Sequence, residues 1–130
     1  MNKTRLMLAG FCAFLGLVIY AADVGAGPRY WGWLAHVPLG DKMGHFSLMF
    51  TLSTLANLAL DCRRVRWGGG ALFLGTAIVT VLVVGEEFSQ LWIPGRNFDL
   101  LDLSADLLGI ACAEAIARRL QPVGPSVASS

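Results

Sequence analysis

Charge is what this sequence has least of. Only 15% of its 130 residues are Asp, Glu, Lys or Arg, against about a quarter in an ordinary soluble domain. The formal net charge is +1. There is no basic field for a phosphate backbone, and nucleic acid is excluded as a partner. Cysteine is scarce too: Cys12, Cys62 and Cys112 are the whole set. None forms a C-x-x-C, and none pairs with a histidine at zinc-ligand spacing. An odd count spread along an apolar chain argues against a disulfide framework, and small buried apolar residues are expected instead. No G-x-S-x-G nucleophile motif occurs, and no internal repeat is visible.

What fills the sequence is apolar: 55% hydrophobic residues, with a mean hydropathy of +0.61. Four runs carry it. Leu6 to Ala22 has no group charged near neutral pH, and Phe46 to Leu60 follows His45. Trp67 to Gly85 is the third, and Leu100 to Ala117 is interrupted by Asp102, Asp106 and Glu114. A spanning helix needs about 20 residues, with a range near 17–25. The first and third runs qualify outright. The second and fourth qualify if their polar residues face protein or an interface. Lys3 and Arg5 before the first run also fit a signal peptide, but its length favours a retained anchor. The expectation is all-α: an integral membrane bundle of four transmembrane helices, one domain over residues 1–120. Residues 121–130, rich in Pro and Ser, are expected to be a disordered tail.

The few charges are sorted by sign. Lys3 and Arg5 precede the first helix, Arg63, Arg64 and Arg66 fill the second link, and Arg118 and Arg119 follow the fourth helix. These are seven of the ten basic residues. The positive-inside rule then puts both the N- and C-termini in the cytoplasm. Asp23, Asp41, Glu86, Glu87, Asp99, Asp102 and Asp106 gather at the opposite face, with Tyr20, Tyr30, Trp31, Trp33 and Trp92 as an aromatic belt. Trp67 marks the inner interface. Glu114, four residues before Arg118, suits a helical ion pair.

Three polar motifs stand at the outer face. Asp41-Lys42-Met43-Gly44-His45 opens the second helix. Asp41 can cap it, and Asp41 and His45 share a face. Glu86-Glu87-Phe88-Ser89-Gln90, running on to Pro94-Gly95-Arg96, closes the third. Carboxylates at a helix C-terminus meet an unfavourable dipole, which calls for a partner, and Arg96 is the expected one. Asp99 to Asp106 opens the fourth helix, with Asp102 and Asp106 one turn apart. Asp106 lies more than a turn inside, where a carboxylate costs up to about 2.5–3.5 kcal/mol at a membrane centre. Behind it Ala105, Gly109, Ala113 and Ala117 recur every four residues, a stripe that permits close helix packing. Ala71 and Gly75 make a shorter stripe on the third helix.

Taken in order, D-K-x-x-H-F, then E-x-x-Q-x-x-x-P-G-R, then an Asp six residues after the Arg, resemble the VanZ-like membrane protein family. The residues that carry the resemblance are Asp41, Lys42, His45, Phe46, Glu87, Gln90, Pro94, Gly95, Arg96 and Asp102, within a core of residues 40–113. The family commonly has Asn where Asp106 stands, so the extra acid changes the charge balance. The resemblance implies a small multi-pass protein of the bacterial inner membrane, of a family named for a protein associated with teicoplanin resistance. Its relatives resemble accessory proteins of polysaccharide and envelope biosynthesis.

The expected site is an outer-side pocket of Asp41, Lys42, His45, Glu87, Gln90, Arg96, Asp102 and Asp106. One reading is the handling of an envelope lipid or glycolipid head group, with Lys42 and Arg96 holding an anion and the carboxylates and Gln90 bonding sugar or peptide groups. A second is a structural accessory subunit with a membrane-protein partner or a second copy. A third is an intramembrane hydrolase or transferase with His45 as base, oriented by Asp41. No cofactor is expected and no residue is assigned to a metal, although His45 with carboxylates could hold one in the hydrolytic version.

Overall fold

A computed structural model describes residues 2–121, so the expected tail falls, from residue 122 on, outside the described residues. The chain is mostly helical. Helix α1 spans Lys3–Asp23, the short α2 spans Gly27–Trp31 and runs into a 3-10 turn, and α3 spans Gly40–Ala59. A hairpin of β1 (Arg64–Trp67) and β2 (Gly70–Phe73) follows. Then come α4 (Leu74–Ser89), a 3-10 turn at Gln90–Trp92, and α5 (Leu100–Leu120). Two helical stretches, Lys3–Asp23 and Leu74–Trp92, are long and apolar enough to cross a membrane, with mean hydropathies of 2.0 and 1.3. Helices α3 and α5 have the length, at 20 and 21 residues, but their polar residues keep them from joining that class.

The third apolar run does not begin as a helix. Residues 67–73 form the turn and second strand of the hairpin, and α4 starts only at Leu74. Gly68-Gly69-Gly70 explains this, since each glycine inside a helix costs about 1 kcal/mol. Trp67 pairs with Gly70 across a two-residue turn, and Gly68 occupies it at φ +60°. Positive φ at that position costs glycine little. Ala71 therefore lies in a strand, and the shorter small-residue stripe reduces to Gly75.

Helix α3 is the hub, packing on α1, α4 and α5. The Arg5 guanidinium Nε donates to the carbonyl of Ala59 at 3.2 Å, so the start of α1 meets the end of α3. Lys42 and His45 meet Asp102 and Asp106, so α3 and α5 start at the same end and run parallel. The basic links collect at one end of the bundle and the acidic motifs at the other. Between them lies an apolar core of Leu15, Leu52, Ala56, Val79, Val83 and Ile110.

Small residues set the helix spacing. A Cβ at Gly109 would run into the carbonyl oxygen of Phe46 and come within 3.1 Å of the amide nitrogen of Phe50. A Cβ at Gly75 would strike the side chain and backbone of Asn57. The expected stripe on α5 is thus where α3 and α5 approach most closely, with Ala113 also buried.

Polarity is inverted with respect to a water-soluble protein. Ser53, Asn57, Thr76, Glu87, Asp106 and Glu114 are buried, while Leu6, Leu17, Val81, Leu82, Leu108 and Ile116 are exposed. The cysteines depart from expectation: Cys12 is exposed, and Cys62 and Cys112 are half-buried. At the basic end the Glu114 carboxylate accepts from the Thr76 hydroxyl at 2.6 Å and from Arg118 Nε at 2.7 Å. Asn57 binds Thr76 through both its side-chain amide nitrogen (3.0 Å) and its carbonyl oxygen (2.9 Å). The expected Glu114–Arg118 pair is therefore one edge of a buried network joining α3, α4 and α5.

Overpacking a closed helix contact costs typically about 1–3 kcal/mol. Gly109→Val is expected to lower thermal stability by at least that much in detergent, because the obstructing atoms are backbone. Gly10→Ala, whose new Cβ meets nothing within 4 Å, is expected to melt as wild type or slightly higher. Equal melting of Gly109→Val and wild type in a fluorescence-detected denaturation series would contradict the α3–α5 packing.

Candidate functional site

The acidic end is assembled from four segments. Helix α3 begins one residue earlier than the motif suggests, at Gly40, with Leu39 in a left-handed conformation at φ 57° before it. Gly40 packs on the Leu34 carbonyl, 2.9 Å from where a Cβ would stand, and this draws the helix start forward. Asp41 is therefore inside the first turn and caps nothing. Its charge still faces the positive end of the helix. On α5 the cap is Asp99, whose carboxylate accepts from the amide of Leu101 at 2.8 Å. Asp102 and Asp106 then project from successive turns of the same face.

Lys42 bridges the two helices. Its ammonium lies 2.9 Å from Asp99 and 3.3 Å from Asp41, and it donates to Asp102 as well. One turn deeper, His45 Nδ1 lies 3.0 Å from Asp106 Oδ1, and its Nε2 is 3.7 Å from Asp102 and 3.8 Å from Asp41. The imidazole is thus oriented by Asp106. Asp41, the expected orienter, stands beyond hydrogen-bond reach.

Glu87 and Gln90 face the same way at the end of α4, and the Gln90 amide donates to Glu87 Oε1 at 3.3 Å and to Glu86 Oε2 at 3.0 Å. Glu87 is fully buried, and its Oε2 has no hydrogen-bond partner among the described residues. Arg96 does not pair with Glu87. Its guanidinium bonds Asp23 at the end of α1 at 2.5 Å and Glu86 at 3.4 Å. Glu86 precedes Glu87, so the arginine reaches the outward-facing member of the pair.

All eight expected residues therefore gather at one end, in two linked groups. Asp41, Lys42, His45, Asp102 and Asp106 join α3 to α5, with Glu87 against His45 and Asp106. Gln90 and Arg96 connect this group through Glu86 to α1. Sequence reasoning missed Asp23 and Asp99 as partners. Asp99 has a signal, since it stands three residues before Asp102 on the same motif. Asp23 has none, because it meets Arg96 across 73 positions.

A cavity of about 750 Å³ runs between α1, α3 and α4 into this cluster. Leu15, Ile19, Leu48, Leu52 and Val83 line its apolar length, and His45, Gln90, Arg96, Asp102 and Asp106 line its polar end.

No family model matches the sequence, and no solved structure matches the fold. An uncharacterized protein of Schizosaccharomyces pombe is 32% identical over 106 residues, which cover 77% of this chain and 57% of that protein. The chain thus spans a little over half the length of the curated relative it matches.

Two measurements check this geometry. Double-mutant cycles on stability are expected to couple Asp23 with Arg96 by more than about 0.5 kcal/mol, as contacting charges do, while Glu87 with Arg96 stays below that. The reverse ranking would overturn the pairing. The exposed Asp99 carboxyl is held below the usual aspartate range first by the Lys42 ammonium and then by the amide of Leu101. A depressed folded value contributes stability above the unfolded pKa of about 3.9, and that contribution is lost as pH falls through the folded one. The stability difference between wild type and Asp99→Asn should be constant above about pH 4.5 and shrink towards pH 2. A difference independent of pH across that range would rule out the Lys42–Asp99 pair.

Proposed function

We propose that this chain is a multi-pass membrane protein of VanZ-like type, and that its cavity receives an amphiphile, an envelope lipid or glycolipid. One observation carries the reading. The cavity is two-natured, with an aliphatic length for a hydrocarbon chain and a charged, hydrogen-bonding end for a head group.

Four spans arranged up-down-up-down account for the inverted polarity. The apolar side chains of α1, α4 and α5 point outwards, where a bilayer would solvate them, and the polar side chains of α3 and α5 point into the bundle. The basic residues sit at one end, which the positive-inside rule assigns to the cytoplasm, with both termini there. The cavity then opens towards the outer leaflet. The bacterial inner membrane comes from the motif resemblance, whereas the curated relative is fungal. The cavity itself requires only a bilayer.

The head group is better matched by hydroxyls and amines than by a bare phosphate. Lys42 already meets three carboxylates and Arg96 two, so neither cation stands free. Carboxylates left over as acceptors suit sugar hydroxyls or an amine. A second reading, a structural subunit, rests on the same pairs, because Lys42 ties α3 to α5 and Arg96 ties α1 to α4. The hydrolytic reading has no Ser, Thr or Cys hydrogen-bonded to His45 among the described residues, so it would need water as its nucleophile.

Gly44 separates the readings. It lines the cavity, and a Cβ there meets nothing within 4 Å. Replacing a helical glycine also gains up to about 1 kcal/mol of helix propensity. Gly44→Trp should therefore fill the cavity without unfolding the bundle. Native mass spectrometry of protein extracted in mild detergent is expected to show a co-purifying amphiphile on wild type, reduced at least about tenfold in Gly44→Trp, with melting unchanged or raised. Equal lipid occupancy in the two proteins would defeat the amphiphile reading and leave the structural one.

A further inference from the structure

We propose that His45, Glu87 and Asp106 form a binding site for a divalent first-row transition-metal ion at the buried floor of the acidic cluster. The proposal does not depend on the amphiphile reading, since the donors stand in the same places whatever the cavity holds.

The first observation is convergence. Three helices each contribute one donor: the His45 imidazole from α3, the Glu87 carboxylate from α4 and the Asp106 carboxylate from α5. One ligand atom from each lies within 4.8 Å of the other two. Donors about 2.1 Å from a common ion stand roughly 3.0–3.4 Å apart. Closing the triangle therefore takes a carboxylate movement on the order of an ångström, within the reach of side-chain torsions.

The second observation is independent of that cluster. Glu87 is completely buried and its Oε2 has no hydrogen-bond partner among the described residues. A buried carboxylate oxygen without a partner is costly, by about 1–3 kcal/mol and more when ionised. Native structures rarely leave such an atom without a reason. The carboxylate it belongs to has an oxygen within 4.8 Å of donor atoms of His45 and Asp106, both of which have lone pairs to offer. The Gln90 amide holds the other oxygen, Oε1, at 3.3 Å. This is the arrangement in which an outer hydrogen bond orients a ligating carboxylate.

Charge and donor type then choose the ion. Glu87 and Asp106 are both essentially inaccessible to solvent. A neutral imidazole, two carboxylates and one dication sum to zero, which suits a buried site. One nitrogen and two carboxylate oxygens favour manganese, iron or zinc over calcium and magnesium, which prefer oxygen alone. Binding displaces the proton from the coordinating ring nitrogen of His45, and the Asp102 and Asp41 carboxylates remain 3.7 and 3.8 Å from Nε2.

The test uses the full chain, purified with chelator and placed in lipid nanodiscs, with Mn(II), Zn(II) and Ca(II) as probes. Wild type is expected to bind one Mn(II) or Zn(II) per chain and to melt higher in its presence, as a ligand of the folded state must make it do. Ca(II) at the same concentration is expected to do neither. Glu87→Gln removes the unpartnered charge, so its metal-free form should melt at or above wild type. It should lose the metal-dependent rise and bind more than about tenfold more weakly. Asp61→Asn, an exposed carboxylate at the other end, should behave as wild type throughout. Absence of stoichiometric Mn(II) and Zn(II) binding to wild type overturns the proposal, as does binding that Glu87→Gln leaves intact. Equal binding of Ca(II) overturns the assignment to a transition metal.

Discussion

The close, parallel approach of α3 and α5 is the constraint on which the rest of this structure depends. Gly109 has no room for a Cβ because the backbone of Phe46 and Phe50 lies there. At that separation the first turns of the two helices stand side by side, and Lys42 and His45 face Asp102 and Asp106 directly. The parallel sense matters as much as the distance. Two helix N-termini point to the same end, and each presents unsatisfied N–H groups and a partial positive charge. Carboxylates are stabilised at such an end, which is why Asp41, Asp99 and Asp102 can crowd there. Helix α4 arrives with its C-terminus, the wrong pole for Glu86 and Glu87; Arg96 compensates Glu86, whereas Glu87 meets, among the described residues, only the Gln90 amide and the floor of the α3–α5 cluster.

On the proposed membrane reading, with the apolar exterior in hydrocarbon, little is gained from hydrophobic burial between helices, and specificity has to come from packing and polar contacts. The chain has both kinds, and at both ends. At the basic end Glu114, Thr76 and Asn57 link α5, α4 and α3 through hydrogen bonds in which each group has a partner. At the acidic end the bonds are ionic and incompletely matched. The contrast distinguishes a network that only locks helices from one with unsatisfied capacity. Ser53, buried on α3 with a hydroxyl that has no partner among the described residues, costs far less to leave than a carboxylate does, since it carries no charge.

Much of this was legible in the sequence, for physical reasons that can be named. Helices α1 and α3 were visible as long apolar runs without a glycine cluster, α5 as an apolar run with its acids at helical spacing, and the i,i+4 spacing of Asp41 with His45 and of Asp102 with Asp106 put each pair on one face. The stripe through Gly109 identified the contact surface of α5 because only small residues allow that approach. The hairpin was missed because hydropathy does not register backbone preference. Gly68-Gly69-Gly70 sits inside an apolar run, yet it favours a turn. The expected Asp41 cap does not form because a tertiary contact, Gly40 on Leu34, moves the helix start by one residue. Arg96 does meet the glutamate pair, but the sequence does not choose between Glu86 and Glu87: two adjacent residues on a helix point about 100° apart, and the position of α1 decides which one an arginine from the next loop can reach. The isolation of Glu87 Oε2 has no sequence signal, since it depends on what three separate helices place around it.

The charge balance of the acidic end links the cavity to its floor. Asp23, Asp41, Glu86, Glu87, Asp99, Asp102 and Asp106 face Lys42, Arg96 and at most one charge on His45. Surface acids such as Asp41 and Asp99 can leave their excess charge to water and counter-ions. Glu87 and Asp106 cannot, because no solvent reaches them, and at low dielectric two adjacent carboxylates repel strongly. A positive charge between them relieves that repulsion, and His45 is the side chain placed to share that role. The acid at position 106 is decisive here. An amide there would satisfy the His45 ring with no added charge, leaving Glu87 as the one buried carboxylate beside it. With two carboxylates and an imidazole converging, a dication satisfies all three at once. It also leaves Lys42 and Arg96 to hold the helices together at the acidic end, so that the groups that close the bundle and those that could hold an ion are different residues of one cluster.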